Sequence, residues 1–320
     1  MDRFVASDEV LLVTGGCGFI GTNLVMTLVA HGARVRVLDN LVGGKWSPVL
    51  TSSVEFINGD VRDFEAVKRA VAGVSKVIHL AAIGSVVDSV MDPLRSFEVN
   101  VAGTLTVLRA CVAAQVNRLV FASTGGAAIG EHIGPVHEEA VPKPVSPYGA
   151  SKVAGEAYCH AFAKSSGLHT IALRFANVYG PYSEHKRSAV VNFIRAVEED
   201  KPIEVYGDGS ATRDFLYVTD LCNGILLALE QDVAPGSLFH LASGIETSVN
   251  ELIQVILRIA GKRDYPVIRS GSRVGEVQKN VASFELAKVK LGFEPVIALE
   301  EGISSTSRWF RNVRAGNVSA

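Results

Sequence analysis

Val10-Leu-Leu-Val-Thr-Gly-Gly-Cys-Gly-Phe-Ile-Gly21 decides the fold class. A short apolar run breaks into a glycine cluster, and helical periodicity then carries on from Phe19 to Ala30. The glycines read as G-x-G-x-x-G from Gly16 or as G-x-x-G-x-x-G from Gly15. In either register the backbone can approach a pyrophosphate, which then rests on free N–H groups at the positive end of the helix. Asp39 closes the next apolar run, eighteen residues beyond Gly21. A carboxylate there accepts hydrogen bonds from an adenosine ribose and repels a 2′-phosphate, so the pattern favours NAD over NADP.

Outward from this stretch, β-branched runs recur at Val35–Leu38, Val54–Ile57, Val77–Leu80, Leu119–Phe121 and Ile171–Leu173. Helical pattern fills the gaps, as at Pro93–Ala114 and Tyr148–Lys164. Several of the runs are apolar without alternation, as strands buried on both faces require. The prediction is an α/β fold: a Rossmann-like doubly wound parallel sheet with a smaller α/β substrate lobe. After about residue 176, Gly180-Pro181, Lys201-Pro202, Gly207-Asp-Gly209 and Pro235-Gly236 shorten the pieces. Thr219–Gln231 and Leu238–Ala242 still read as a helix and strand returning to the sheet. The division expected is residues 1–175 with about 219–245 for the NAD-binding domain, and 176–218 with about 246–320 for the other lobe.

Composition narrows the class. The chain has 320 residues, 48% hydrophobic and 20% charged, so it can bury a large core and is not a disordered polymer. Lys+Arg 31 against Asp+Glu 33 gives a net charge of −2, with no general field for nucleic acid or an anionic membrane. Cys17, Cys111, Cys159 and Cys222 are far apart and lack zinc spacing, so they read as reduced buried thiols with no metal. No apolar stretch reaches the ~18 residues of a membrane helix, and the start has no signal-peptide core. A cytoplasmic protein is expected. Arg308, Arg311 and Arg314 read as one solvated helix face.

The chemistry points to Tyr148 and Lys152, four apart at a helix start in Pro147-Tyr-Gly-Ala-Ser-Lys152, hence on one face. An ammonium beside a phenol, with the positive ring of NAD⁺, lowers the phenol pKa and lets it take a hydroxyl proton near neutrality. Tyr182 and Lys186 repeat the spacing, but they follow Gly180-Pro181 without a helix to align them. Thr124 or Ser123, at the carboxyl end of the Leu119 run, supplies a hydroxyl for the reacting oxygen, with Thr124 preferred.

The chain resembles the extended short-chain dehydrogenase/reductase family, and within it the nucleotide-sugar 4-epimerases. The resemblance rests on Thr14–Gly21, Asp39-Asn40, Gly59-Asp60-Val61, His79-Leu-Ala-Ala82, Asn100, Ser123-Thr124, Tyr148-x-x-x-Lys152 and Arg174–Pro181, continuing through Gly207-Asp-Gly209 and Arg213–Val218 to Arg273-Val-Gly-Glu276. It implies tightly bound NAD, a UDP-sugar substrate, and a homodimer through two helices per subunit. It places Gly15, Gly18, Phe19, Ile20, Gly21, Asp39, Asn40, Asp60, Val61, Leu80, Ala81, Ala82 and Asn100, with Tyr148 and Lys152, around the cofactor. Asp60 and Val61 would edge the adenine. Ser85, Asn177, Val191, Asn192, Tyr206, Arg213, Arg273, Glu276 and Asn280 would surround the substrate beside Thr124 and Tyr148, the two arginines gripping its diphosphate. His79 is a packing residue in this reading.

Two departures stand out. Ala127-Ala128-Ile129-Gly130 replaces a Val-Tyr-Gly, and Ser283 stands where an aspartate is common. The leading expectation is a UDP-sugar 4-epimerase acting on hexoses and on N-acetylhexosamines, since Asn280 is smaller than a tyrosine. A UDP-glucuronate 4-epimerase stays open, with Lys186 or Arg187 for the carboxylate. Dehydratases and decarboxylases use an acid just after the threonine, and Gly125-Gly126 offers none; 4-keto reduction ranks lower. A non-catalytic NAD-binding sensor is the alternative from another class.

Overall fold

The computed structural model describes residues 9–45, 54–271 and 277–316. In chain order it opens with β1 (Val10–Thr14), α1 (Phe19–Ala30), β2 (Arg34–Asp39), β3 (Val54–Asn58), α2 (Phe64–Val71) and β4 (Lys76–His79). Then come α3 (Val86–Met91), α4 (Pro93–Phe97), a π-helical turn (Glu98–Ala102) and α5 (Gly103–Ala113). β5 (Arg118–Thr124), α6 (Gly126–Ile129), α7 (Pro147–Ser166) and β6 (His169–Phe175) complete the first half. The second half holds β7 (Asn177–Tyr179), α8 (Ala189–Glu198), β8 (Ile203–Tyr206), β9 (Thr212–Tyr217), α9 (Val218–Glu230) and β10 (Ser237–Leu241). It ends with β11 (Glu246–Ser248), α10 (Val249–Ile259), β12 (Val267–Ser270), α11 (Glu285–Leu291) and α12 (Leu299–Arg314).

Seven strands form a parallel sheet in the order β10-β6-β5-β4-β1-β2-β3. The strand pleat sends alternate side chains to opposite faces, and both faces are dry. Leu11 and Val13 pack with Leu24, Val25 and Leu28 of α1, whereas Leu12 joins Val67, Val107 and Leu108 on the other side. β5 divides likewise, Val120 and Ala122 going one way and Leu119 and Phe121 the other. That explains why these runs carry no polar alternation. From β1 the chain winds outward through β2 and β3, then returns to β4 on the opposite side of β1. The carboxyl ends of β1 and β4 therefore flank the crevice where open α/β sheets take ligands.

The later elements build a second layer. β11-β9-β7 and β12-β8 form small sheets, cored by Tyr179, Phe193, Ile194, Phe215, Leu252 and Ile303. α9 and β10 return to the large sheet, where β10 pairs in parallel with β6. Arg308, Arg311 and Arg314 are exposed on α12. Among the described residues no helix is long and apolar enough to cross a membrane. All four cysteines are buried and free, and burial pushes the Cys111 and Cys222 thiols up to about 12.

The helix expected over Pro93–Ala114 is interrupted. α4 gives way to the π-helical turn before α5 resumes. Such turns concentrate at functional positions, and this one carries Asn100 into the interior, at 1% exposure.

Candidate active site

The glycine turn is built around close approaches. Gly15 has φ +72°, and a Cβ on it would stand 2.7 Å from the Ala81 nitrogen, so the ends of β1 and β4 meet only because the side chain is missing. A Cβ on Gly21 would lie 2.2 Å from the Gly15 carbonyl oxygen, which seats α1 directly on the turn. No side chain caps α1 at Gly18, leaving its first N–H groups and its positive dipole end for an anion. Asp39 is buried beside the turn, Oδ2 accepting from the Cys17 N–H (3.0 Å) and Oδ1 from the Leu41 N–H (2.8 Å). Leu80 and Ala81 donate their N–H groups to the Thr14 carbonyl (3.1 Å) and Oγ1 (3.3 Å). Asp60 directs its carboxylate to Asn40 Nδ2 (2.9 Å) and the Arg62 guanidinium (2.9 Å), whose hydrogen bonds hold its pKa at about 2. Val61 is buried against Gly103. An uncapped helix end over a side-chain-free cradle, with an acid at the next strand end, fits a dinucleotide such as NAD.

At the carboxyl end of the sheet, β5 and α7 bring Thr124, Tyr148 and Lys152 together. α7 starts where it does because the Ser146 hydroxyl accepts from the Gly149 N–H (3.1 Å) and Pro147 occupies the first turn. The Tyr148 hydroxyl hydrogen-bonds Thr124. Lys152 is 4% exposed; its ammonium donates to the Ala122 carbonyl (2.8 Å) and lies 6.0 Å from the centre of the Tyr148 ring. Burial lowers Lys152 to about 8. Within the chain alone, burial pushes Tyr148 up to about 12, the Thr124 hydrogen bond opposing it only in part.

Two buried networks, not foreseen from sequence, position these groups. Thr104 donates to the Asn100 carbonyl (2.6 Å), so it accepts from His79 Nε2 (3.0 Å), and Nδ1 then accepts from Thr14 Oγ1 (2.7 Å). The network assigns this tautomer, and burial drops His79 to about 3, keeping it neutral. Asn100 in turn accepts from the Ile83 N–H (2.8 Å) and donates to Ser151 Oγ (3.0 Å), next to Lys152. Asn100 thus ties the loop after β4 to α7 rather than offering a free amide. On the other side of α7, Glu156 takes a bidentate ion pair from Arg174 of β6 (2.8 Å each) and a hydrogen bond from Ser123. Removing either partner of such a buried pair strands a charge at a cost of about 3–5 kcal/mol. Ser123 is thereby engaged away from the cleft, which leaves Thr124 as the hydroxyl beside Tyr148.

In the second lobe Asn177 lies on β7 opposite Phe215, two residues from Arg213 on β9. Arg213 donates to the Thr212 carbonyl (2.7 Å). Val191 is buried and Asn192 exposed on α8, and Tyr206 is exposed at the end of β8. Ser85 caps α3 by accepting from the Asp88 N–H (3.1 Å). Arg273 and Glu276 lie outside the described residues. Asn280 packs on the start of α6, just after Thr124: a Cβ on Gly126 would stand 1.8 Å from its Nδ2. Asp214 holds that arrangement, accepting from the N–H groups of Ser243 (2.8 Å), Gly244 (3.0 Å) and Ala282 (3.4 Å). Ala127-Ala128-Ile129 form the short helix α6, on which Gly149 of α7 packs. Ser283 Oγ accepts from the Glu285 N–H (3.4 Å).

The repeated Tyr182/Lys186 spacing does not make a second pair. Tyr182 has φ +64° and turns its ring onto Trp309, 5.1 Å away. Lys186 instead places its ammonium 4.9 Å from the Phe19 ring centre, and Arg187 is exposed near Asp88.

Residues 11–242 match the model of the NAD dependent epimerase/dehydratase family. A UDP-glucose 4-epimerase of Mycolicibacterium smegmatis is 36% identical over 309 residues, covering 94% of this chain and 98% of that protein. A UDP-glucuronate 4-epimerase of Thermodesulfobacterium geofontis is 32% identical over 315 residues, with 93% and 95% covered. The crystal structure of a UDP-glucose 4-epimerase from Thermotoga maritima with UDP-glucose superposes with a TM-score of 0.92 at 36% identity, over 96% of this chain and 100% of that one. With the glycine cradle, the buried acid at Asp39 and the Thr124–Tyr148–Lys152 cluster in one crevice, these matches place the chain in the NAD dependent epimerase/dehydratase family.

Proposed function

We propose that the chain is an NAD-dependent UDP-sugar 4-epimerase. The observation that carries this is the Thr124–Tyr148–Lys152 cluster at the carboxyl end of β5, followed by Gly125-Gly126, with no acid there to divert a 4-keto sugar into dehydration or decarboxylation. NAD, when bound along the glycine turn, supplies the acceptor and later the donor of the C4 hydride. Tyr148 takes the proton of the sugar 4-hydroxyl and returns it. Thr124 donates a hydrogen bond to that oxygen, and Lys152 supplies positive charge to the phenolate. Arg213 and Arg273 retain the diphosphate while the transient 4-keto sugar turns over to expose its other face. Relatives acting on UDP-glucose and on UDP-glucuronate both support the 4-position as the reacting carbon. Incubating the protein separately with UDP-glucose, UDP-N-acetylglucosamine and UDP-glucuronate, and following each by NMR, tests the assignment. C4 epimers of at least one substrate are expected; a 4-keto-6-deoxy sugar or a pentose as the product would refute it.

Asp39→Ala is expected to weaken NAD binding and relax discrimination against NADP, because it removes a ribose acceptor and a charge opposed to the 2′-phosphate. Titration with both cofactors measures this, and an unchanged preference would place Asp39 outside the adenosine site. Asn280 is the size gate of the sugar pocket in this reading. Asn280→Tyr is expected to lower kcat/KM for UDP-N-acetylglucosamine selectively, leaving UDP-glucose largely untouched. Equal loss of both would refute steric exclusion of the acetyl group.

The enzyme works as a cytoplasmic homodimer in this proposal. Val87, Val90, Met91, Leu94 and Phe97 of α3 and α4 and Tyr158 of α7 are exposed, a patch that suits a helix-to-helix contact with a second copy. Phe97→Glu is expected to shift the mass from light scattering from dimer to monomer. A wild-type monomer would refute the interface.

A further inference from the structure

We infer that Lys186 reaches across from the loop between β7 and α8 to hold the dinucleotide diphosphate at the N-terminus of α1. The inference rests on the reading of the glycine turn as an NAD site. It starts from how the loop is fastened. Asn23 of α1 donates Nδ2 both to the Phe19 carbonyl (2.9 Å) and to the Pro181 carbonyl (3.0 Å), clipping the loop to the first turns of that helix. Ser183 Oγ donates to the Gly180 carbonyl (2.6 Å) and the Lys186 N–H to the Ser183 carbonyl (2.9 Å), closing a turn that aims the lysine back toward α1. Tyr182 is meanwhile anchored on Trp309 of α12.

The ammonium therefore lies 4.9 Å from the ring centre of Phe19, the first residue of α1. Contact with an aromatic face is attractive, though weaker than pairing with an anion. Burial lowers Lys186 to about 8. A partly buried ammonium thus sits on the first residue of a twelve-residue helix whose N-terminus has no side-chain cap. Each of these elements is improved by the same partner, a diphosphate, and none of them by a neutral group. A lysine suits a diphosphate as a point charge. Cofactor retention would then depend on a side chain from outside the Rossmann sheet, so the substrate lobe helps to keep NAD in place between turnovers.

The test compares Lys186→Met, Lys186→Gln and Lys186→Arg with the wild type. NAD carried through gel filtration is quantified after acid release, and Kd values for NAD and for UDP are measured by calorimetry. Lys186→Met and Lys186→Gln are expected to raise the Kd for NAD at least ~10-fold and to lose NAD on the column. UDP affinity should change by less than ~2-fold, and Lys186→Arg should stay near the wild type. An NAD Kd unchanged in both neutral variants overturns the inference. So does a loss of UDP affinity with NAD retained, which would assign the cation to the sugar nucleotide. Circular dichroism and Tm establish that the variants are folded, and the arginine variant separates charge from packing. A wild type that binds no NAD would instead refute the reading of the glycine turn itself.

Discussion

Tyr148→Phe is expected to lower kcat/KM at least ~10²-fold while the fold and NAD binding persist. The phenyl ring keeps the packing at the start of α7, and the backbone N–H of residue 148 keeps its bond to Ser89 Oγ (3.1 Å). Only the hydroxyl is lost, and with it both the proton acceptor and the partner of Thr124. Tyr182→Phe is the internal control, because that ring faces Trp309 and takes no part in proton transfer. Steady-state kinetics on both variants decide the matter. Near-normal turnover in Tyr148→Phe, or loss in Tyr182→Phe alone, would contradict the assignment.

Lys152→Met is expected to cost about as much, for a different reason. Burial pushes the Tyr148 phenol up to about 12, and each unit by which it must be brought back toward neutrality is worth about 1.4 kcal/mol. In the proposed mechanism the Lys152 ammonium, 6.0 Å from the ring centre, supplies that stabilisation. Without it kcat/KM should fall ~10²-fold or more. The acid limb of the remaining pH profile should move to higher pH, since removing a cation raises the phenol further. A merely structural lysine would lower activity without moving the limb. An unshifted profile would therefore refute the electrostatic role.

The parts of this architecture that sequence made legible are those whose cause is local. Apolar runs without alternation gave the buried strands, and Ser146-Pro147 marks the start of α7 because capping and proline act within one turn. The four-residue spacing of Tyr148 and Lys152 works the same way. What stayed hidden depends on partners far along the chain. The π-helical turn at Asn100 is stabilised by Ile83 and by Ser151, fifty-one residues away. Asp214 organises Ser243 and Ala282, twenty-nine and sixty-eight residues on, and nothing in Arg213-Asp-Phe announces it. Asn280 meets Gly126 only after that segment is folded back. Tyr182 and Lys186 show the converse, since an identical spacing means nothing once Tyr182 adopts a left-handed φ and the two side chains part.

The burial of Tyr148 also bears on the state in which it reacts. A phenol that is protonated at rest must be ionised before it can accept a proton, so the reactive state is the one assembled with positive charge in the crevice.

The most direct test is to run the reaction on UDP-glucose deuterated at C4 in ordinary water, and on unlabelled UDP-glucose in D₂O, reading both by NMR. Retention of the original deuterium at C4 of the epimer, with no solvent deuterium entering C4 or C5, is the predicted result. Washout of the C4 label, or solvent deuterium at either carbon, would contradict hydride transfer at C4 and with it the role given to Tyr148.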